Sequence, residues 1–265
     1  MKKLFCILTL LCFACSSSDD SDNPSTTTLE VSVIGDVTTV SIDQIITLTA
    51  TANEAINEIS FSTDGGATFP SSSNNNFGTT ANLYFSFDTL GTKSIVFRVK
   101  NEAGDIVDTT VNIIVERGSA IQLQNLQLNS FFDIGNTWDS EYPTTDPSHL
   151  ADVFFVILKP SLNVFTGMRN GISSTSQIWY RSSTRDNENN LNWDLQNDEL
   201  YINVEELITY IAFADEDGGG IVDDLMLGPP FERMIPLGEN FISQPNTITV
   251  EEPSINLEYV LGVDW

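Results

Sequence analysis

Along residues 29–116 apolar and polar positions alternate in short runs: LEVSVIG, QIITLTATA, INEISFST, NLYFSFDT, KSIVFRVKN and TTVNIIVE. Successive side chains of a strand point to opposite faces, so each run presents one apolar face to a core. Turn chemistry divides them: DGG at 64–66, SSSNNN at 71–76, LGT at 90–92 and NEAGD at 101–105. This pattern predicts an antiparallel β-sandwich over residues 28–117. A linker, ERGSA at 116–120, follows. Strand-length pieces then resume as IQLQNLQLN, ADVFFVI, QIWYRSS, NNLNWDLQNDELYINVEELITYIAFA, FERMIPL, NTITVEE and INLEYVLGV. INVEEL alone has room for one helical turn, and no long amphipathic helix is expected. Residues 121–265 are therefore read as a second β-sandwich of roughly eight strands. The expected fold class is all-β, with two consecutive sandwich domains behind a signal and a tether.

The N-terminus changes the picture of where the chain works. MKKLFCILTLLCFAC has two lysines, an apolar core and then Cys15, the pattern of a secretory signal over residues 1–14. The core is too short for a membrane-spanning helix. FAC resembles the end of a bacterial lipobox, with Cys12 where a leucine is usual, and the resemblance implies an acyl chain on Cys15. CSSSDDSDN is similar to the acidic export signal of Bacteroidetes surface lipoproteins. It implies anchoring in outer-membrane lipid through Cys15, facing the exterior. Residues 15–27 are polar and expected to be a disordered tether. Cys6, Cys12 and Cys15 are the only cysteines, so the mature chain is expected to have neither disulfides nor thiol catalysis. Without Lys2 and Lys3 it carries 9 basic against 37 acidic residues, which argues against nucleic-acid partners.

The acidity is densest in FADEDGGGIVDDLMLG, residues 213–228. Asp215 and Asp217 stand one residue apart at the end of a strand, so both point to one side. Gly218, Gly219 and Gly220 let the backbone turn back and bring Asp223 and Asp224 towards them. Such crowding of like charge suits a hard cation bound by oxygen ligands. With no imidazole or thiolate nearby, calcium is preferred to zinc or copper, and its flexible geometry favours it over magnesium. The residues before Asp215 read as a strand and no glutamate stands twelfth in the loop, so a helix-flanked calcium hand is excluded. Leu225, Met226 and Leu227 are expected to open the next strand.

Two family resemblances extend this reading. SFDTLGTKSIVFRVKNEAGDIVDTTVNIIVE resembles the closing strands of PKD-like and immunoglobulin-like modules of bacterial surface proteins. Within the same segment STDGGATF, residues 62–69, resembles an Asp-box turn. It occurs once, so it is read as a tight hairpin with Gly65 and Gly66 at positive φ. In the second segment D-x-D, five residues, then D resembles the third calcium loop of the C-two domain, on Asp215, Asp217 and Asp223. ADVFFVI places Asp152 on that family's first-loop aspartate, and NLNWD is similar to its N-P-x-W-N. The three pieces fall in the family's order and imply an eight-stranded sandwich with its calcium loops at one end. The aspartate upstream of Asp152 is either Asp139 or Asp146.

Other chemistry is thin. His149 is the only histidine and has no serine or cysteine partner for a triad. Glu205 and Glu206 are neighbours and face opposite ways. The expected function is a calcium-binding surface lipoprotein with a binding or structural role and no enzymatic one. Its partner would be an extracellular glycan or protein. The alternative is a glycan-binding accessory of an outer-membrane polysaccharide-uptake system, with exposed Trp138 or Trp179 stacking on sugar.

Overall fold

A computed structural model of the chain describes residues 28–69, 71–74, 77–159, 165–166, 177–218, 222–228 and 231–265. The signal, Cys15 and the tether to residue 27 lie outside the described residues, as do Gly219 and Gly220.

The first segment forms β1 (Val31–Gly35), β2 (Thr39–Ser41), β3 (Ile46–Ala52), β4 (Ile56–Ser62), β5 (Ser71–Asn74), β6 (Thr80–Phe85), β7 (Gly91–Asn101) and β8 (Ile106–Glu116). The second forms β9 (Ile121–Ser130), β10 (Val153–Lys159), β11 (Phe165–Thr166), β12 (Gln177–Arg181), β13 (Asn192–Asp194) and β14 (Tyr201–Ile202). It continues with β15 (Tyr210–Glu216), β16 (Val222–Asp224), β17 (Arg233–Met234), the single-turn helix α1 (Leu237–Asn240), β18 (Thr247–Glu252) and β19 (Leu257–Asp264). The chain is all-β, as the alternation predicts.

In the first sandwich one sheet runs β1-β3-β6-β11 and the other β2-β8-β7-β4-β5. ITLTATA shows why it folds this way: Ile46, Leu48, Ala50 and Ala52 are buried and the threonines between them are not. They meet Ile59, Phe97 and Ile113 from the facing sheet in one apolar core. The STDGGATF turn forms between β4 and β5, with Gly65 at φ 77° and Gly66 at φ 92°. Asp64 closes it by accepting from the Ser62 hydroxyl and from the Thr68 hydroxyl and backbone, and these bonds hold its carboxyl below the usual range.

The second sandwich pairs a β13-β9-β19-β18 sheet with a β12-β10-β15-β16 sheet. Two-residue β14 and β17 are added to β9 and β15, so the main strands of these two sheets number eight among the described residues. β11 leaves this segment and pairs with β6 of the first sandwich. The second core holds Phe155 edge-on to Trp193 at 5.1 Å, and Phe213 against Tyr259 at 5.4 Å. Tyr259 is fully buried, yet its hydroxyl has no hydrogen-bond partner. Tyr259→Phe removes that unsatisfied group and keeps the ring. It is expected to raise stability in urea unfolding by about 1 kcal/mol.

The linker is pinned between the two. Arg117 bonds the Ala120 carbonyl at 2.8 Å and the Asp264 carboxylate at 2.7 Å. Tyr201 of the second segment packs into the first core. Strand β10 thus has one end, Lys159, against the first sandwich, where it pairs with Asp43. Its other end, Val153, lies six residues away along an extended strand, or roughly 20 Å.

Candidate functional site

The acidic residues gather at the Val153 end of β10. Val153 pairs with Asp215, and Asp215 in turn lies directly opposite Asp223 on β16. Two carboxylates facing each other across an antiparallel pair repel, so the hairpin is built against its own charge. From the preceding residue, Asp152 donates its backbone N–H to Asp215 Oδ1 at 2.6 Å. The Asp152 carboxylate accepts from the Asn187 N–H at 2.8 Å, which ties it to the 186–188 turn.

Asp215 is 1% exposed and its Oδ2 has no hydrogen-bond partner. Burial, then the negative charges of Asp217, Asp139 and Asp152, push its pKa up to about 6, against the one N–H from Asp152 that lowers it. Its partner Asp152 lines a cleft of about 560 Å³, together with Asp139, Glu141, Asp186, Asp217 and the backbone of Gly218. Asp139 and Asp217 are held above the usual carboxylate range, first by desolvation and then by surrounding carboxylates, and they share a hydrogen bond. Glu216 lines the same cleft but is neutralised by its partners. Thr184 and Arg181 bond it at 2.6 and 2.7 Å and lower its pKa.

The structure thus separates the seven aspartates. Asp139, Asp152, Asp215, Asp217 and Asp223 share one neighbourhood of the fold. Asp146 is engaged locally: its side chain accepts from Ser148 N–H at 3.0 Å and caps the 147–149 turn. Asp224 is likewise spent on the backbone N–H groups of Met226 and Gly228. Leu225 and Met226 do not open a strand: both are fully buried in a turn that this carboxylate caps. His149 supports Asp139 from behind, its carbonyl accepting the Trp138 and Asp139 N–H groups at 2.8 and 3.2 Å.

Glu141 and Asp186 also line the cleft and escaped the motif reading. Glu141 carries a usable signal, since WDSE repeats the one-apart acidic spacing of DED. Asp186 has none, because it reaches the cleft only through a turn docked against residues 147–152. Every donor in the cleft is oxygen, which suits a hard cation. As the side chains stand, no group of three acidic, histidine or cysteine residues among those described is drawn close enough to hold an ion.

The tryptophans are committed elsewhere. The indole N–H groups of Trp138, Trp179, Trp193 and Trp265 bond Asp133, Asp88, Ser183 and Pro245 respectively. The Lys159 ammonium also sits 3.8 Å from the Trp179 ring centre. Neither Trp138 nor Trp179 offers a bare face with a free N–H.

In a chelator, the strain on Asp215 sets a pH dependence. Its folded pKa lies above the ordinary carboxylate value of 3.8, so the folded state holds the proton more tightly than the unfolded one. Stability contributed here is full at low pH and falls as pH rises from about 4 to 6. The expected loss is about 2–3 kcal/mol, read by urea unfolding at pH 4 and pH 7. Asp215→Asn should flatten that slope.

No protein-family model matches this chain, and no curated protein does. Among solved structures it is similar to the Clostridium thermocellum CbhA fibronectin(III)-like modules, at 11% identity and a TM-score of 0.27, over 73% of this chain and 89% of that one. It is also similar to the human OSCAR ligand-binding domain, at 10% identity and a TM-score of 0.27, over 79% of this chain and 98% of that one. With likeness this loose, the fold rests on the sheet pairings above. Among the described residues no helix is long and apolar enough to cross a membrane.

Proposed function

We propose that this chain is a lipid-anchored surface protein whose C-terminal sandwich binds calcium at its acidic end, in a binding or structural role and not a catalytic one. The observation that carries the reading is Asp215 Oδ2: a buried, unpartnered carboxylate oxygen on a residue bonded to Asp152, which lines a cleft of carboxylates. A buried charge without a partner is costly, and an ion among these oxygens removes the cost. Asp139, Asp152, Asp215, Asp217 and Asp223 are the proposed ligands, with Glu141 beside them. This set also matches the loops that the C-two resemblance implies. Acylation of Cys15, export to the outer face of the outer membrane and a PKD-like or immunoglobulin-like spacer role for residues 28–117 rest on the sequence. The ligand that the calcium-filled end would hold is an extracellular protein or glycan.

Millimolar calcium is expected to stabilise the fold by about 1 kcal/mol, given the 10⁻⁴–10⁻³ M range of extracellular sites. For a chain of this size that is a rise of about 2–4 °C in Tm over the chelated protein. The Asp215→Asn/Asp217→Asn double variant should show no rise. A calcium-dependent shift that persists in that variant would place the ion elsewhere.

A further inference from the structure

At the opposite end of β10 a lysine and an aspartate from the two sandwiches meet in a sealed space. Lys159 Nζ lies 2.8 Å from Asp43 Oδ1, with side-chain exposures of 4% and 3%. A lysine this deeply buried is unusual, and water cannot screen the pair. Its surroundings hold both groups in place. Asp43 sits in the left-handed backbone region at φ 61°, between β2 and β3, and donates its N–H to the Phe87 carbonyl at 2.8 Å. Its second oxygen accepts from the Asn203 N–H at 3.0 Å. Lys159 Nζ also reaches the Tyr201 carbonyl at 3.3 Å and lies over the Trp179 ring. Trp179 bonds Asp88, a third carboxylate whose charge both members of the pair feel.

This geometry favours a reaction. Desolvation raises the Asp43 pKa and lowers that of Lys159, each against the pull of its partner's charge. Both shifts favour the neutral acid beside the neutral amine, which are one proton transfer along the 2.8 Å Nζ–Oδ1 contact from the ion pair. An amine lone pair held against a protonated carboxyl in a dry site is a nucleophile beside its electrophile, because Cγ is bonded to the oxygen that Nζ touches.

We propose that Lys159 Nζ and Asp43 Cγ condense to an amide that covalently joins the two sandwiches. The Nζ–Cγ bond forms and one Cγ–O bond breaks. The proton shed by nitrogen leaves with the hydroxyl as one molecule of water, and nothing is oxidised or reduced. Asp88, whose charge both groups feel, is the carboxylate proposed to assist that transfer. The link closes a long loop between the two sandwiches. It suits a surface protein that has no cysteines beyond its signal and acylation point and so cannot use disulfides.

Intact-mass measurement of the purified, fully denatured protein tests this. The expected mass is one water below the full sum for the linear chain, and digestion should yield a branched peptide joining the segments around Asp43 and Lys159. Lys159→Met and Asp43→Ala should each have full mass. Asp88→Asn should fold with an unchanged circular-dichroism spectrum but remain unlinked, or link more slowly. A wild-type mass equal to the full sum, with no branched peptide after prolonged incubation of the folded protein, overturns the proposal. The wild-type measurement decides even if a variant fails to fold.

Discussion

Lys159→Met is expected to destabilise the protein by about 3–5 kcal/mol, one of the two largest single-residue effects in the molecule. The methionine fills the volume under Trp179 but leaves Asp43 buried without its cation. Of the bonds to the Asp43 carboxylate, that from Asn203 N–H remains. The stranded carboxyl escapes part of the cost by taking a proton, so its folded pKa lies above the unfolded value. The variant should therefore regain stability as pH falls and lose it as pH rises. Lys159→Met with Asp43→Asn removes both charges and should cost less than Lys159→Met alone, as read by urea unfolding at pH 5 and pH 7. An amide at this position enlarges the loss, because the cross-link disappears with the lysine.

Trp193→Ala is expected to cost about as much, 3–5 kcal/mol, by a different route. Trp193 is 2% exposed and is packed by Phe155 edge-on and by the Arg185 guanidinium 5.6 Å from its ring centre. Its N–H bonds the Ser183 carbonyl at 2.7 Å. Alanine leaves a cavity between the two sheets and an unpaired carbonyl, and neither side can collapse because both are strands in register. Trp193→Phe keeps most of the packing and should lose less than half as much. Near-ultraviolet circular dichroism and urea unfolding together measure both changes. The contrast matters for function, since it assigns Trp193 to the core and not to a ligand surface.

Much of the fold is legible in the period-two runs. ITLTATA, SIVFRVKN and LEYVLGVD form strands because alternate residues have an apolar core to enter. β2 and β5 were not visible, because edge strands such as Ser71–Asn74 carry no apolar alternation and their sequence reads as a turn. Leu225 and Met226 misled in the other direction: apolar side chains fix burial, and here a carboxylate cap let a turn be buried.

The site was legible in part. Asp215 and Asp217 announce themselves by crowding, but their meeting with Asp152 depends on strand pairing across more than sixty residues, which local spacing does not encode. The division between Asp139 and Asp146 had a local sign. An aspartate directly before proline, as in Asp146-Pro147, is a helix-cap signature, and capping is what Asp146 does. The Lys159–Asp43 contact left no trace in the sequence, since neither residue's neighbours differ from those of an ordinary strand end and turn.

The central claim is that the acidic end of the second sandwich is a calcium site. Isothermal titration of the chelator-stripped protein with calcium, beside the Asp215→Asn/Asp217→Asn variant, tests it most directly. Saturable binding with a Kd of about 10⁻⁴–10⁻³ M in the wild type, lost in the variant, is the predicted result. Equal heats from the two proteins, or no saturable binding at millimolar calcium, would contradict it.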